Sequence, residues 1–368
     1  MVMDQAGNDT SSQSSVFFSS LLIAQITLYC VLIIAGIVGN LLIMFAVLNK
    51  SPRKVSECLI LNLAITDLGA STISIPLDLV ERILGDFPFG SVMCYIVYPF
   101  QTVLMAVSVI TLLLMSLERG RLVTKPFRPK LSRKGIIAAI SVSWVLPILI
   151  IIPYTLVLSM KDRQCTELWP EEWYVKTYTM TMFFTFYVIP LLVITFSYVR
   201  AGVKLHEEMK RLQSLVFQSR ISSSHEKYCR KRALQNLRII RIFVLAVVMF
   251  AFCMLPTHMA WIWHDFGNGR LNPLFKDLLS FANIATYANS VINPAIFGTI
   301  KPSTLANIKA CCLGKKATFD NPLMLRTQSK RYSYALRDPR RTSARRKTLD
   351  SISETPQQAA KGIWESNL

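Results

Sequence analysis

Between Cys94 and Glu118 the chain carries no charged residue. Wound as a helix, these 24 steps rise roughly 36 Å, the depth of a bilayer's hydrocarbon core plus part of its headgroups. Such a run belongs in lipid. Six further apolar runs are long enough to cross, at roughly 57–82, 134–158, 174–203, 235–264, 273–299 and, first in the chain, 21–48. The fold class expected is therefore an all-α membrane protein, a seven-transmembrane helix bundle. A chain that is 52% hydrophobic and also carries a net charge of +19 must then concentrate its basic residues on one side of the membrane.

The loops bear this out as a pattern. Residues 1–20 contain no Lys or Arg, whereas the link after the first run contains Lys50, Arg53 and Lys54, so the amino terminus is expected outside. Only Arg82, Lys161, Arg163, Lys176, Arg270 and Lys276 of the 41 basic residues then lie outside, and the remaining 35 sit at or near the inner face. The basic surplus implies anionic lipid as its partner, not nucleic acid. The polar start lacks the features of a cleaved signal peptide, and the first crossing is expected to act as its own insertion signal. Asn8 heads an Asn-Asp-Thr glycosylation sequon on the outer side.

Cysteine placement follows from the same topology. Cys30 and Cys253 fall inside crossings, while Cys58, Cys229, Cys311 and Cys312 fall at or beyond the inner ends. Only Cys94 and Cys165 remain in the oxidising compartment, and a disulfide between them is expected.

A set of polar and proline markers recurs at matching depths. It comprises Gly39-Asn40, the run N-L-A-I-T-D ending at Asp67, Glu118-Arg119, Trp144, Pro190, the run from Cys253 through Met254 to Pro256, and Asn289-Ser290 through Asn293-Pro294 to Phe297. Taken in order over roughly residues 21–312, these resemble the rhodopsin-like (class A) G-protein-coupled receptors, and among them the neuropeptide receptors. The resemblance implies a receptor without enzymatic activity that activates heterotrimeric G proteins from the plasma membrane. It also implies a switch formed by Glu118, Arg119, Tyr198, Met254, Pro256, Pro294 and Phe297. Three positions depart from the family pattern: Gly120 replaces an aromatic after Glu118-Arg119, Met254 replaces a Trp, and Phe297 replaces the Tyr that ends Asn-Pro-x-x-Tyr. No acid occurs in Lys231–Ile242, so Glu118 is expected to be the only carboxylate near Arg119, and basal signalling is expected to be raised.

A mid-membrane carboxylate requires partners. Asp67 with Ser108, Asn289 and Asn293 is expected to form a polar site that takes Na⁺, with no other metal or cofactor. At the outer mouth, Asp78, Glu81, Gln101, Glu167, Glu171, Glu172, His258, Trp261, His264, Asn283 and Tyr287 are candidate ligand contacts. The outer side carries about 11 acidic against six basic residues, which favours a cationic peptide. Gln101 stands where amine receptors of the family place an Asp, and no Lys lies between Leu278 and Phe297 for a retinal Schiff base. A non-peptide small-molecule receptor is the alternative. A transporter or channel is disfavoured by the odd number of crossings and the lack of an inverted repeat, and H-E-x-x-H and G-x-S-x-G are absent.

The organisation expected is an extracellular segment at 1–20, a receptor domain at 21–300, a short amphipathic membrane-surface helix at 301–312, and a disordered cytoplasmic tail at 313–368. Cys311 and Cys312 are placed for palmitoylation. Basic Ser/Thr clusters in the tail suit receptor kinases and, through them, arrestin.

Overall fold

The computed structural model describes residues 3–49, 54–125, 131–217 and 223–298. The membrane-surface helix, Cys311, Cys312 and the tail lie outside the described residues. The first crossing lies in α1 (Met3–Leu48), a helix that also takes in Asn8. The second is α2 (Val55–Gly69) continued by α3 (Ile75–Leu84), and the third is α4 (Gly90–Thr124). The fourth is α5 (Arg133–Val157), the fifth α6 (Glu172–Phe183) continued by α7 (Ile189–Phe217), the sixth α8 (Ser223–Phe266), and the seventh α9 (Phe275–Gly298).

Two crossings are split by wide turns, and proline explains both. Pro76 and Pro190 each follow a five-residue π-helical turn, at Ala70–Ser74 and Phe184–Val188. A proline cannot donate its backbone hydrogen bond and crowds the preceding carbonyl, and the wider turn relieves that conflict without ending the helix. Pro99, Pro147, Pro153, Pro256 and Pro294 instead sit inside continuous helices.

Among the described residues six helical segments are long and apolar enough to cross a membrane. The segment α9 is the exception, because Asn283, Thr286, Tyr287, Asn289, Ser290 and Asn293 dilute its hydropathy. Thr286, Tyr287 and Asn293 bond to other helices and Asn289 and Ser290 are buried, so the polarity marks an inward face. The opposite case is α5, which buries only Ser143, Pro147 and Ile151 and exposes Ile137, Val142, Val145, Leu149 and Leu156. Such a surface is stable against lipid and would be unstable in water.

Helix α4 lies at the centre, in contact with α2, α5, α7 and α8, while α9 packs between α8 and α1. The main core joins Leu59, Leu63, Leu112, Met115, Ile194, Phe243, Phe250, Met254 and Phe297. Between α5 and α6 the chain forms a hairpin of β1 (Leu158–Lys161) and β2 (Gln164–Glu167), in register Met160 to Cys165. Asp162 and Arg163 turn it with φ of 49° and 58°, the left-handed pair that a two-residue hairpin turn requires. Cys165 is bonded to Cys94 at the start of α4, with Cα atoms 5.6 Å apart. This is the disulfide end of the bundle.

Candidate functional site

At the disulfide end three helices converge on Asp78. Gln101 Nε2 donates to Asp78 Oδ1 at 2.7 Å and the Tyr287 hydroxyl donates to Asp78 Oδ2 at 2.7 Å. One turn along α3, both oxygens of Glu81 accept from the Tyr98 hydroxyl at 2.8 Å. Residues 78 and 81 share a face of α3 because three steps complete most of a turn, so the two acids line one wall. Tyr287 also packs on Tyr29, with ring centroids 6.5 Å apart.

A second group lies between α6 and α8. Asp265, 6% exposed, accepts from Thr179 Oγ1 at 2.5 Å and lies 2.7 Å from His264 Nδ1 and 3.5 Å from Arg270 Nη2. The His264 and Trp261 rings both pack against Phe275, at 4.8 and 6.4 Å. Deeper in, His258 lies edge-on to Phe183 at 5.6 Å and beside Tyr187 at 5.2 Å, and its buried Nε2 has no hydrogen-bond partner among the described residues. Glu167 ends β2 and accepts from Trp169 Nε1 at 2.6 Å. Burial pushes its carboxyl above the ordinary range, partly offset by the Trp169 hydrogen bond.

Three expected contacts stay apart from these groups. Glu171 and Glu172 are exposed, the first accepting from Trp173 Nε1 at 2.7 Å and the second 3.2 Å from Lys176 Nζ. Asn283 has no side-chain hydrogen bond among the described residues. The structure also adds residues that the sequence did not single out. Arg82 pairs with Asp277 and donates to Gln25 Oε1 at 2.5 Å, tying α3 to α9 and α1. No local pattern announces contacts between positions so far apart in the chain.

In mid-membrane, Asp67 is fully buried. It accepts from Ser108 Oγ at 3.2 Å and from Asn293 Nδ2 at 2.9 Å, and Ser108 is within 2.8 Å of Thr66 Oγ1. Asn289 is buried one turn before Asn293 on α9, and neither its Oδ1 nor that of Asn293 has a hydrogen-bond partner among the described residues. Asn40 Nδ2 donates instead to the Gly36 and Ser290 carbonyls, at 2.9 and 3.2 Å. A neighbouring bridge runs from Trp144 Nε1 to Asn62 Oδ1 at 3.0 Å and from Asn62 Nδ2 to Thr111 Oγ1 at 2.8 Å.

At the end opposite the disulfide, Glu118 forms no ion pair with Arg119 among the described residues. Its carboxylate lies 3.6 Å from Arg121 Nη2, in an apolar groove of about 140 Å³ lined by Leu59, Leu114, Leu131 and Ile136. The reason is helical geometry: residues three apart share a face, and adjacent ones diverge by about 100°. The Arg119 guanidinium lies instead 5.4 Å over the Phe243 ring, and its Nε has no hydrogen-bond partner among the described residues. Phe243 packs on Phe297 at 5.4 Å and on Tyr198 at 6.3 Å. The buried Tyr198 hydroxyl has no partner among the described residues, as expected where Phe297 supplies no hydroxyl. Met254, 2% exposed, fills the core above them.

Comparison with known proteins accounts for this arrangement. The family model of the 7 transmembrane receptor (rhodopsin family) matches residues 39–297. Neuropeptide Y receptor type 2 of Bos taurus is 28% identical over 290 residues, covering 75% of this chain and 72% of the relative. Neuropeptide FF receptor 2 of Mus musculus is 28% identical over 308 residues, covering 77% and 69%. Neuropeptide FF receptor 1 of Rattus norvegicus is 29% identical over 327 residues, covering 80% and 74%. The chain is thus a multi-pass membrane protein and belongs to the rhodopsin family of seven-transmembrane receptors.

Proposed function

We propose that this receptor binds a cationic peptide at its disulfide end and activates heterotrimeric G proteins at the other. One observation carries the ligand class: Asp78, Glu81, Glu167 and Asp265 are all drawn into the disulfide end, held by neutral donors and, at Asp265, also by His264 and the partly exposed Arg270. A ligand that brings positive charge is the complement of such a wall. The names of the relatives, receptors for neuropeptides Y and FF, support the same reading. Asp78, Glu81, Gln101, Tyr287, Glu167, His258, Trp261, His264 and Asn283 are the proposed contacts.

In this reading the amino terminus is extracellular in the plasma membrane and Asn8 is glycosylated. The inner end around Arg119, Tyr198 and Phe243 receives the G protein, with Pro256 and Pro294 as the bending points of α8 and α9. Palmitate on Cys311 and Cys312, and kinase and arrestin binding to the tail, complete the assembly. Sodium is the proposed allosteric ligand of the Asp67 site. The oxygens of Asp67, Asn289 and Asn293 suit a hard cation, which would offset the carboxylate's desolvation.

The direct test is a screen of basic neuropeptides on cells expressing the receptor, read by cAMP and calcium and repeated as nucleotide exchange on purified G proteins. Exchange driven by at least one basic peptide is expected. A response to neutral small molecules with none to peptides would overturn the ligand class, and a solute flux without G protein would overturn the receptor mechanism.

A further inference from the structure

At the end opposite the disulfide, α5 stands off from its neighbours. Its buried residues are Ser143, Pro147 and Ile151, all beyond its first two turns, so those turns leave a groove of about 140 Å³ against α2 and α4. Val55 and Leu59 of α2, Leu114 and Leu117 of α4, and Ile136 and Ala139 of α5 form its apolar walls. Leu117 is exposed, and on a helix that crosses the membrane this opens the groove to lipid.

One group is out of place in these walls. Glu118 is 5% exposed, and its Oε2 is buried without a hydrogen-bond partner among the described residues. Arg121 Nη2, at 3.6 Å, attracts it from beyond hydrogen-bond reach. A buried carboxylate oxygen without a donor is costly, so the groove is short of one N–H or O–H.

Depth orders the remaining chemistry. Val55 opens α2, and Glu118 and Arg121 fall in the last two turns of α4, whereas Leu59 and Leu114 lie about one turn deeper. Exposed Lys54, Lys125, Arg133 and Lys134 stand at the ends of the same three helices. A basic rim, then a carboxylate lacking a donor, then an apolar floor match an amphiphile whose head carries both a phosphate and an N–H-bearing cation.

We propose that this groove binds phosphatidylethanolamine from the adjoining leaflet. The primary ammonium donates to Glu118 Oε2, the phosphate accepts from Arg121, and one acyl chain runs along Leu59, Leu114 and Ile136. Arginine has five N–H donors, so Arg121 can serve a phosphate without leaving Glu118. Phosphatidylcholine has the same phosphate and chains but no N–H to donate, and phosphatidylserine brings a second carboxylate toward Glu118.

The test uses the purified full-length receptor in phosphatidylcholine nanodiscs that contain a trace of lipid with a photoactivatable diazirine on one acyl chain. The head of that lipid is ethanolamine, choline or serine, and crosslinks are mapped by peptide mass spectrometry. Ethanolamine lipid is expected to label the groove residues of α2, α4 and α5 about tenfold more than either of the others, the difference that one charge-assisted hydrogen bond makes. Glu118→Gln is expected to lower ethanolamine labelling to the choline level. Should that variant fail to fold, Ala139→Phe, which fills the groove from α5, decides, with a loss of labelling expected there. Equal labelling by ethanolamine and choline lipids would make the groove ordinary lipid-facing surface, and serine lipid labelling as well as ethanolamine would reduce the site to its basic rim. Either result overturns the proposal, as does an unlabelled groove or a folded variant that is labelled as the parent is.

Discussion

Gly120 shows how a single departure from a family pattern acquires a physical reason. A Cβ at this position would fall on Ser197 Oγ, which donates to the Ser116 carbonyl at 3.0 Å, so α4 and α7 approach closely here only because residue 120 has no side chain. Gly120→Val is expected to lower thermal stability by an overpacking cost of about 1–3 kcal/mol, and a second change, Ser197→Ala, to recover part of it. An unchanged melting temperature of the purified single variant would show that the two helices part freely. Asp67 makes a second prediction at this scale. Agonist affinity is expected to fall as Na⁺ rises, since a cation favouring one arrangement opposes a ligand favouring the other, and Asp67→Asn should abolish that dependence in radioligand binding. Glu167 makes a third. Its carboxyl is raised by burial, and a contact with a cationic peptide needs the ionised form, so peptide affinity should fall as pH falls and at milder acidity than an exposed glutamate would require. Titrating the affinity of an activating basic peptide from neutral to acidic pH checks the sign, and Glu167→Gln should flatten the profile.

Between elements, the decisive contact is α4 against α8. Arg119 meets a ring on α8 in place of an acid, and Lys231–Ile242 supplies none. A charge-assisted hydrogen bond of roughly 1–3 kcal/mol is therefore missing from the closed arrangement, which corresponds to about tenfold or more of the open one. Asn236→Glu is expected to reduce ligand-free nucleotide exchange on the G proteins that the parent activates. Unchanged exchange would assign the hold on α8 to the aromatic packing of Phe243 with Tyr198 and Phe297. The π-helical turns before Pro76 and Pro190 belong to the same scale. Each proline was visible in the sequence, but no local pattern separates Pro76 and Pro190, which follow π-helical turns, from Pro99, Pro147, Pro153, Pro256 and Pro294, which sit inside continuous helices.

For the molecule as a whole, the disulfide joins positions 71 residues apart and fastens the hairpin that carries Glu167 to the top of the central helix. Cys94→Ala and Cys165→Ala are each expected to lose surface expression or ligand binding, measured by cell-surface labelling and saturation binding. Normal behaviour of both variants would make the bond dispensable. The crossings and the cysteine pair could be read along the chain, because lipid rewards unbroken apolar length and because compartment decides which thiols oxidise. The Asp67 cluster was legible for a related reason: polar residues are so costly in a bilayer that their few positions must find one another. The partners of Glu118, Arg82 and Asp265 were not legible. Adjacent residues on a helix point about 100° apart, and residues distant in sequence meet only through packing. Hydropathy and cysteine position thus determined by themselves that the chain crosses the membrane and where it is tied. Only the tertiary structure decided which charge faces which, because that depends on the rotation of each helix against its neighbours, and interdigitating side chains set that rotation.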